Sequence, residues 1–142
     1  MVYLVNCLII VLVVVLHYEA LHHLGKWIPK LKIKPRLKIS LGVLGALMAH
    51  VMEVWIYAFA YFKLIQFEDW GSLQGNLQCT FMDCVYFLFT TYTTVGFGDI
   101  SPVGDLRFIV AIDSLVGLVL IALTASFLYF QIESQWQEEK SN

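Results

Sequence analysis

Apolar residues are concentrated in three long runs along this chain, and short polar segments separate the runs. The runs cover residues 1–24, 41–63 and 106–130, and each has the roughly 20 residues that a helix needs to cross a bilayer. The pattern therefore predicts three transmembrane helices. A shorter aromatic-rich stretch, residues 80–93, is long enough for only about half a bilayer. It predicts a half-helix that enters the membrane and ends inside it.

The composition agrees with a membrane protein. The chain has 142 residues, of which 59% are hydrophobic and 14% are charged, and its mean hydropathy is +0.73. Soluble domains carry about a quarter charged residues. No positive charge precedes the first run, whereas a cleaved signal peptide has a basic start, so we interpret this run as a retained helix. No basic stripe with interleaved aromatic residues indicates nucleic-acid binding, and no residue set indicates an enzyme.

Charge is segregated along the chain, and this predicts how the chain crosses the membrane. Residues 25–40 form a linker with the basic residues Lys26, Lys30, Lys32, Lys34, Arg36 and Lys38. Short basic loops stay in the cytoplasm, whereas the loop with Glu68 and Asp69 is acidic and is expected outside. The prediction is a multi-pass protein of the plasma membrane with its N-terminus outside and its C-terminus in the cytoplasm. Residues 131–142 are expected to be a short cytoplasmic tail, with no soluble regulatory domain.

Two local patterns lie at the start of the half-helix. Thr80 followed by Asp83 resembles a capping box, although the strict box has Glu or Gln at the last position. Cys79 and Cys84 would form a disulfide only in an oxidising compartment, and their spacing around a helix start is unfavourable for one. Cys7 lies in an apolar run, where a cysteine usually packs as a small hydrophobic residue.

The segment Thr94-Val95-Gly96-Phe97-Gly98 directly follows the half-helix, and we call it the filter segment. Non-helical backbone at membrane depth is tolerated only where protein buries it or where it lines a water-filled path. Gly96 and Gly98 accept positive φ without steric cost, so successive carbonyl groups can turn to one side. Several such segments around an axis would stack rings of oxygens that replace the hydration shell of an ion. The negative C-terminal end of the half-helix favours a cation there.

The residues TTVGFGD at 93–99 resemble the signature of the potassium channels, which is usually Thr-Val-Gly-Tyr-Gly-Asp. Tyr86 lies where simple bacterial potassium channels carry an aromatic residue that contacts the aspartate matching Asp99. Arg107 begins the third run, and Gly117 follows at the position of the family's inner-helix hinge glycine. The resemblance covers about residues 41–130, as outer helix, pore helix, filter and inner helix.

This resemblance implies an all-α homotetrameric membrane channel, with K⁺ as the permeant ion and no cofactor. It places K⁺ at Thr94, Val95, Gly96 and Phe97, with filter support from Asp99, Tyr86 and Thr93. Gly117 would be the gating hinge. The residues expected to line the cavity form one face of the inner helix: Leu118, Ile121, Ala125 and Tyr129.

The filter departs from the family pattern in ways that leave alternatives open. Phe97 replaces the usual Tyr and lacks its hydroxyl, and Thr90 stands where some members carry a glutamate behind the filter. The turn after Asp99 is one residue shorter than in the simplest bacterial members. The first helix has no arginine ladder, so we do not expect a voltage sensor. A weakly selective cation channel and a non-conducting membrane subunit are the alternative functions.

Ionisable residues inside predicted spans are energetically costly and often functional, and here they are His17, Glu19, His50, Glu53 and Asp113. His50 and Glu53 share one helix face at i and i+3, and His17 is expected at a similar depth. Three interpretations stay open for these three residues: a proton sensor, since His titrates near pH 6.5, a metal site, and a polar contact that fixes helix packing. Asp113 could support the filter from behind, or pair with Arg107 or with neighbours of Glu53 at a subunit contact. We favour a structural role for Asp113.

Overall fold

The structure is a computed structural model that describes residues 2–66, 70–78 and 80–141. Its elements follow the chain in this order: α1 (Val2–Trp27), a 3₁₀ turn (Ile28–Lys30), α2 (Pro35–Leu64), β1 (Ser72–Gly75), α3 (Phe81–Tyr92), β2 (Ile100–Val103) and α4 (Leu106–Ser141). The acidic loop residues Glu68 and Asp69 lie outside the described residues. So does Cys79, one half of the disulfide considered above.

The chain is an all-α membrane protein in which α1, α2 and α4 are each long and apolar enough to cross a bilayer. The half-helix α3 has only twelve residues, or about 18 Å. It packs against α2 and α4, and α1 packs against the same two helices. Large side chains fill the space where these helices meet, including Tyr57, Tyr61, Phe87 and Ile109, which are fully buried.

Two helices extend into segments that were predicted to be a linker and a tail. α2 begins at Pro35 rather than near residue 41, because proline has no N–H to satisfy and its fixed φ suits the first helical position. α4 continues to Ser141 rather than ending near residue 130, since residues 131–141 contain neither glycine nor proline to stop it. The irregular part of the basic linker is correspondingly short.

A small antiparallel sheet, which the hydrophobic pattern did not predict, connects the loop after α2 to the segment after the filter. β1 pairs with β2 in a register that sets Ser72 opposite Val103 and Gly75 opposite Ile100. Gly75 has φ 127°, and a side chain there would collide with the carbonyl of Asp99. Four-residue strands are too short for a reliable alternating pattern, which is why the sequence did not reveal them.

Candidate functional site

The half-helix α3 starts with a complete capping box, which confirms that sequence prediction. Thr80 N donates to Asp83 Oδ2 at 2.8 Å, and Asp83 N donates to Thr80 Oγ1 at 3.2 Å. Gln78 N donates to the same carboxylate at 3.0 Å. The hydrogen bonds from Thr80 and Gln78 lower the pKa of Asp83, because they favour its charged form. This end of α3 is therefore anchored to the loop that precedes it.

At its other end, α3 turns directly into the filter segment through backbone hydrogen bonds. Thr94 N donates to the carbonyl of Thr91 at 3.0 Å, and Gly96 N donates to the carbonyl of Thr90 at 2.9 Å. These bonds use carbonyl groups from the last turn of α3, which have no partner inside the helix. The start of the filter segment is thus fixed to the end of the half-helix.

The filter segment has positive φ at every second residue: 61° at Thr94, 51° at Gly96 and 79° at Gly98. In an ordinary strand the carbonyl groups point alternately to opposite sides, and a reversed φ at alternate residues turns them to the same side. Glycine accepts this conformation freely, but for Thr94 it is strained by about 1–2 kcal/mol. Thr94 is the one non-glycine residue with positive φ among the described residues. Strain of this kind is concentrated at functional sites.

Within one chain the filter segment is open on one side. The side chains of Val95 and Phe97 are 56% and 69% exposed. A Cβ atom added at Gly96 or Gly98 would meet no atom within 4 Å. A single chain therefore provides one wall of a path and leaves the opposite side uncovered.

Tyr86 contacts two residues at the C-terminal end of the filter segment. Its hydroxyl donates to Asp99 Oδ2 at 2.9 Å, which is the contact that the family resemblance implies. This hydrogen bond raises the pKa of Tyr86, because it stabilises the protonated form of the Tyr86 hydroxyl. The ring of Phe97 stacks on the ring of Tyr86, with centroids 6.5 Å apart and planes inclined by 7°. The stacked ring of Tyr86 thus holds the side chain of Phe97, which lacks the hydroxyl group of the usual tyrosine.

Gly117 lies where α4 is in close contact with the end of α3. An added Cβ would be 2.7 Å from the carbonyl oxygen of Tyr92 and 2.9 Å from its ring. α4 is one continuous helix through this position, so the gating hinge stays a prediction, and close packing is the role that the contacts assign to Gly117.

The predicted cavity-lining residues do not share one environment. Leu118, Ala125 and Tyr129 are exposed, whereas Ile121 is half-buried and packs against the core. Ile121 and Ala125 also border a space of about 400 Å³ between α2, α3 and α4, which we call the side cavity. Thr93 of the predicted filter support lies at this cavity too, and its hydroxyl donates to the carbonyl of Phe89 at 2.6 Å.

Five polar side chains, one or two from each helix, form a closed hydrogen-bonded group that we call the polar cluster. Its members are His17 of α1, His50 and Glu53 of α2, Tyr92 of α3 and Thr124 of α4. Glu53 Oε1 lies 2.7 Å from His17 Nδ1, and Glu53 Oε2 lies 2.5 Å from the Tyr92 hydroxyl and 3.2 Å from His50 Nδ1. On the opposite side, Thr124 Oγ1 lies 3.0 Å from His50 Nε2 and 3.2 Å from His17 Nε2.

The distances within the polar cluster are those of hydrogen bonds, and the metal site stays a prediction. His17, His50 and Glu53 each offer a ligand atom, and these atoms lie within 4.8 Å of one another. The carboxylate-to-imidazole distances of 2.7 and 3.2 Å are hydrogen-bond distances. His17 and Glu53 are fully buried, so the cluster also fixes how α1 packs against the other helices.

Asp113 lies in a second buried contact, between α2 and α4. The Tyr61 hydroxyl donates to Asp113 Oδ2 at 2.6 Å, and Asn6 of α1 lies beside the same carboxyl group. Among the described residues of one chain, neither Arg107 nor a neighbour of Glu53 makes a hydrogen bond or ion pair with this carboxyl group, and pairing at a subunit contact stays a prediction. This arrangement suits the structural role that we favoured from the sequence. Glu19, by contrast, is exposed and lies 3.8 Å from His23 on its own helix.

Sequence reasoning missed Tyr92, Thr124 and Tyr61 as partners of the buried charges. Thr124 lies seven residues after Gly117 and so on the same face of α4, which was the available signal. Tyr92 and Tyr61 do not stand out in the sequence, because the chain is rich in aromatic residues. Their roles depend on the rotation of each helix about its axis, which the spacing of apolar residues does not specify.

A half-helix and a strained, glycine-containing segment between two membrane-crossing helices define a channel-type membrane protein. The sequence model of the family described as "Ion channel" matches residues 49–133, and this chain belongs to that family. The match extends from the middle of α2 to α4 and leaves α1 outside. No solved structure matches the chain.

Proposed function

We propose that this ion channel is selective for K⁺ and conducts it passively through a filter of backbone carbonyl groups. The observation that carries the proposal is the alternation of positive φ at Thr94, Gly96 and Gly98 directly after α3. It brings carbonyl groups of neighbouring residues to one side of the segment, where they can replace the water around a cation. The C-terminal end of α3 adds a negative potential at the same place.

The ion path follows from these groups. K⁺ would lose water as it meets the carbonyl oxygens of Thr94, Val95, Gly96 and Phe97, and the Thr94 hydroxyl would add one more ring of oxygens at the inner end. Repulsion between ions at neighbouring positions would move them along. Tyr86, through Asp99 and Phe97, would hold the outer end of the filter in place. Conduction of this kind needs no covalent chemistry.

A homotetramer completes the proposed site. One chain covers only one side of the filter segment, whereas an ion needs oxygens all around it. Four copies around an axis would bring four filter segments together and would cover apolar side chains of α4, such as Leu115 and Leu118, that are exposed in one chain. The K⁺ path and the subunit contacts are then parts of one assembly.

We further propose that the channel lies in the plasma membrane with its N-terminus outside. The basic residues after α1, from Lys26 to Lys38, favour the cytoplasmic side for that end of α1 and α2. The filter would then open toward the outside and the end of α4 would be cytoplasmic. Labelling of single cysteines, introduced at either end of α1 in a background with Cys7, Cys79 and Cys84 all replaced by serine, tests this orientation. Label accessibility of the N-terminal position from the cytoplasm would overturn it.

Flux from liposomes tests selectivity directly. The purified chain is reconstituted into K⁺-loaded and Na⁺-loaded vesicles, and flux is measured with and without barium as a blocker. We expect barium-sensitive K⁺ flux and little Na⁺ flux. Equal fluxes would indicate the weakly selective cation channel, and no flux with either ion would indicate the non-conducting subunit.

The matched variant is Gly98→Ala. Its new Cβ meets no neighbour in the chain, so the change acts on the φ of 79° rather than on packing. We expect K⁺ flux to be lost while the protein still purifies as the same oligomer. His23→Gln, an exposed change on α1, is the control that should conduct normally. Full K⁺ flux in Gly98→Ala would contradict the proposed filter geometry.

A further inference from the structure

The contacts of the polar cluster require one more hydrogen than its usual protonation states supply. Six of its contacts lie at hydrogen-bond distance, and five of them, three onto Glu53 and two at Thr124, each need a hydrogen of their own. An ionised Glu53 with neutral His17 and His50 leaves four hydrogens, one each on the two imidazoles, on Tyr92 and on Thr124. The fifth must be an added proton, whether an imidazole or the carboxyl group carries it.

The conflict is visible at Thr124. If both imidazoles use their Nδ1–H groups toward Glu53, both Nε2 atoms become acceptors, and both face the single hydroxyl hydrogen of Thr124. One of the two contacts, at 3.0 or 3.2 Å, would then join two lone pairs. An added proton on either Nε2 removes this conflict, because that nitrogen donates to Thr124 and Thr124 donates to the other. The sixth contact, from His50 Nδ1 to the Tyr92 hydroxyl at 3.1 Å, is made by a shared hydrogen.

Charge leads to the same conclusion. Without the added proton the cluster carries one negative charge in the membrane interior, with His17 and Glu53 fully buried. With the proton its net charge is zero, and every contact has a hydrogen. A buried charge without a partner is costly, and more so at membrane depth.

No other charged group nearby substitutes for this proton. The ionisable groups that face the cluster are His17 from α1, Tyr92 from α3 and Tyr57 from α2. Tyr57 lies close enough to Glu53 for an electrostatic interaction. α4 contributes the hydroxyl of Thr124, and its Asp113 takes part in the separate contact with Tyr61. No lysine or arginine side chain makes an ion pair with the cluster among the described residues.

The cluster is attached to the filter through one residue. Tyr92 is the last residue of α3, its hydroxyl donates to Glu53, and Thr93 and Thr94 follow it directly. The carbonyl oxygen of Tyr92 packs against Gly117 of α4. Any loosening of the Tyr92 hydroxyl therefore acts on the inner end of the filter segment. His50 is 15% exposed and borders the side cavity, which provides a route for proton exchange.

We infer that His17, His50 and Glu53 bind one shared proton, and that this proton positions the inner end of the filter through the Tyr92 hydroxyl. His17 and His50 are then positioning residues, and α1, which lies outside the family match, is part of the conduction machinery. The conduction readout rests on the proposed function, whereas the proton count does not.

The proton count is measured without conduction. Histidine nitrogen and glutamate carboxyl NMR signals of the full chain in liposomes, assigned with His17→Gln and Glu53→Gln, report which groups carry protons at pH 7. We expect one added proton in the cluster, on an imidazole or on Glu53. Two neutral imidazoles beside an ionised Glu53 would overturn the inference.

The coupling to the filter is measured as the ratio of K⁺ flux at pH 6 to that at pH 9. Because loss of the proton removes about one hydrogen bond, we expect flux to fall about fivefold at the higher pH, which corresponds to about 1 kcal/mol. His50→Gln and Tyr92→Phe should flatten this dependence, and His23→Gln should keep it. Tyr92→Phe should also keep the added proton, since His17, His50 and Glu53 are intact.

An unchanged pH dependence in both His50→Gln and Tyr92→Phe would overturn the coupling, as would a wild-type flux that does not vary with pH. Absence of K⁺ flux at every pH would instead refute the proposed function, and the NMR result would still decide the proton count. Size-exclusion profiles that match wild type show that a variant has kept its fold.

Discussion

Replacement of Gly117 by alanine should destabilise the protein, although alanine is the better helix former. The new Cβ would be 2.7 Å from the carbonyl oxygen of Tyr92, and ordinary contact begins at 3.4 Å, so α4 or the end of α3 must move by about 0.7 Å. The obstacle is backbone at the last turn of α3, and no flexible side chain can give way.

The expected magnitude is a difference between two effects. Alanine in place of glycine inside a helix stabilises by about 1 kcal/mol, and overpacking of a tight contact costs about 1–3 kcal/mol. We therefore expect a net loss of up to about 2 kcal/mol. The displaced group is Tyr92, so K⁺ flux should fall together with stability.

Gly25→Ala is the matched comparison. Its Cβ would lie 3.3 Å from the ring of Phe127, a side chain that can move by the small distance required. We expect this variant to be as stable as wild type or slightly more stable. Melting temperatures of both variants in detergent, followed by circular dichroism, make the comparison. If Gly117→Ala raises the melting temperature as much as Gly25→Ala does, the inference that Gly117 packs closely against Tyr92 is wrong.

Three further substitutions test contacts that hold the helices in place. Tyr61→Phe should lower the stability by about 1–3 kcal/mol, because it leaves the buried carboxyl group of Asp113 without its hydroxyl donor. An unchanged melting temperature would contradict this contact. Thr80→Ala should cost about 1 kcal/mol through loss of the cap. The hydrogen bonds that lower the pKa of Asp83 contribute stability that is complete above pH about 4 and is lost as pH falls through the folded-state pKa. Asp83→Asn should remove this acid-dependent loss from melting curves, and a persistent loss would assign it to other groups.

The hydrophobic pattern was sufficient to predict the three crossing helices and the half-helix. Bilayer thickness sets the length of a crossing helix, and this length can be read from consecutive apolar residues. The capping box at Thr80 and the positive φ at Gly96 and Gly98 were also predictable, because caps and glycine conformations depend on residues close together in the chain. The contact of Tyr86 with Asp99 came from the family resemblance rather than from the pattern.

The sequence alone determined where helices form, where the backbone must be flexible and which ionisable residues lie on helices long and apolar enough to cross a membrane. Only the tertiary structure decided that His17, Glu53, Tyr92 and Thr124 meet, since four helices must each have the right rotation and crossing point to bring them within hydrogen-bond distance. It also decided that Gly117 is a point of close packing, because its neighbour Tyr92 is distant in the chain. Local spacing constrains one helix at a time, whereas a buried polar contact depends on all of them together.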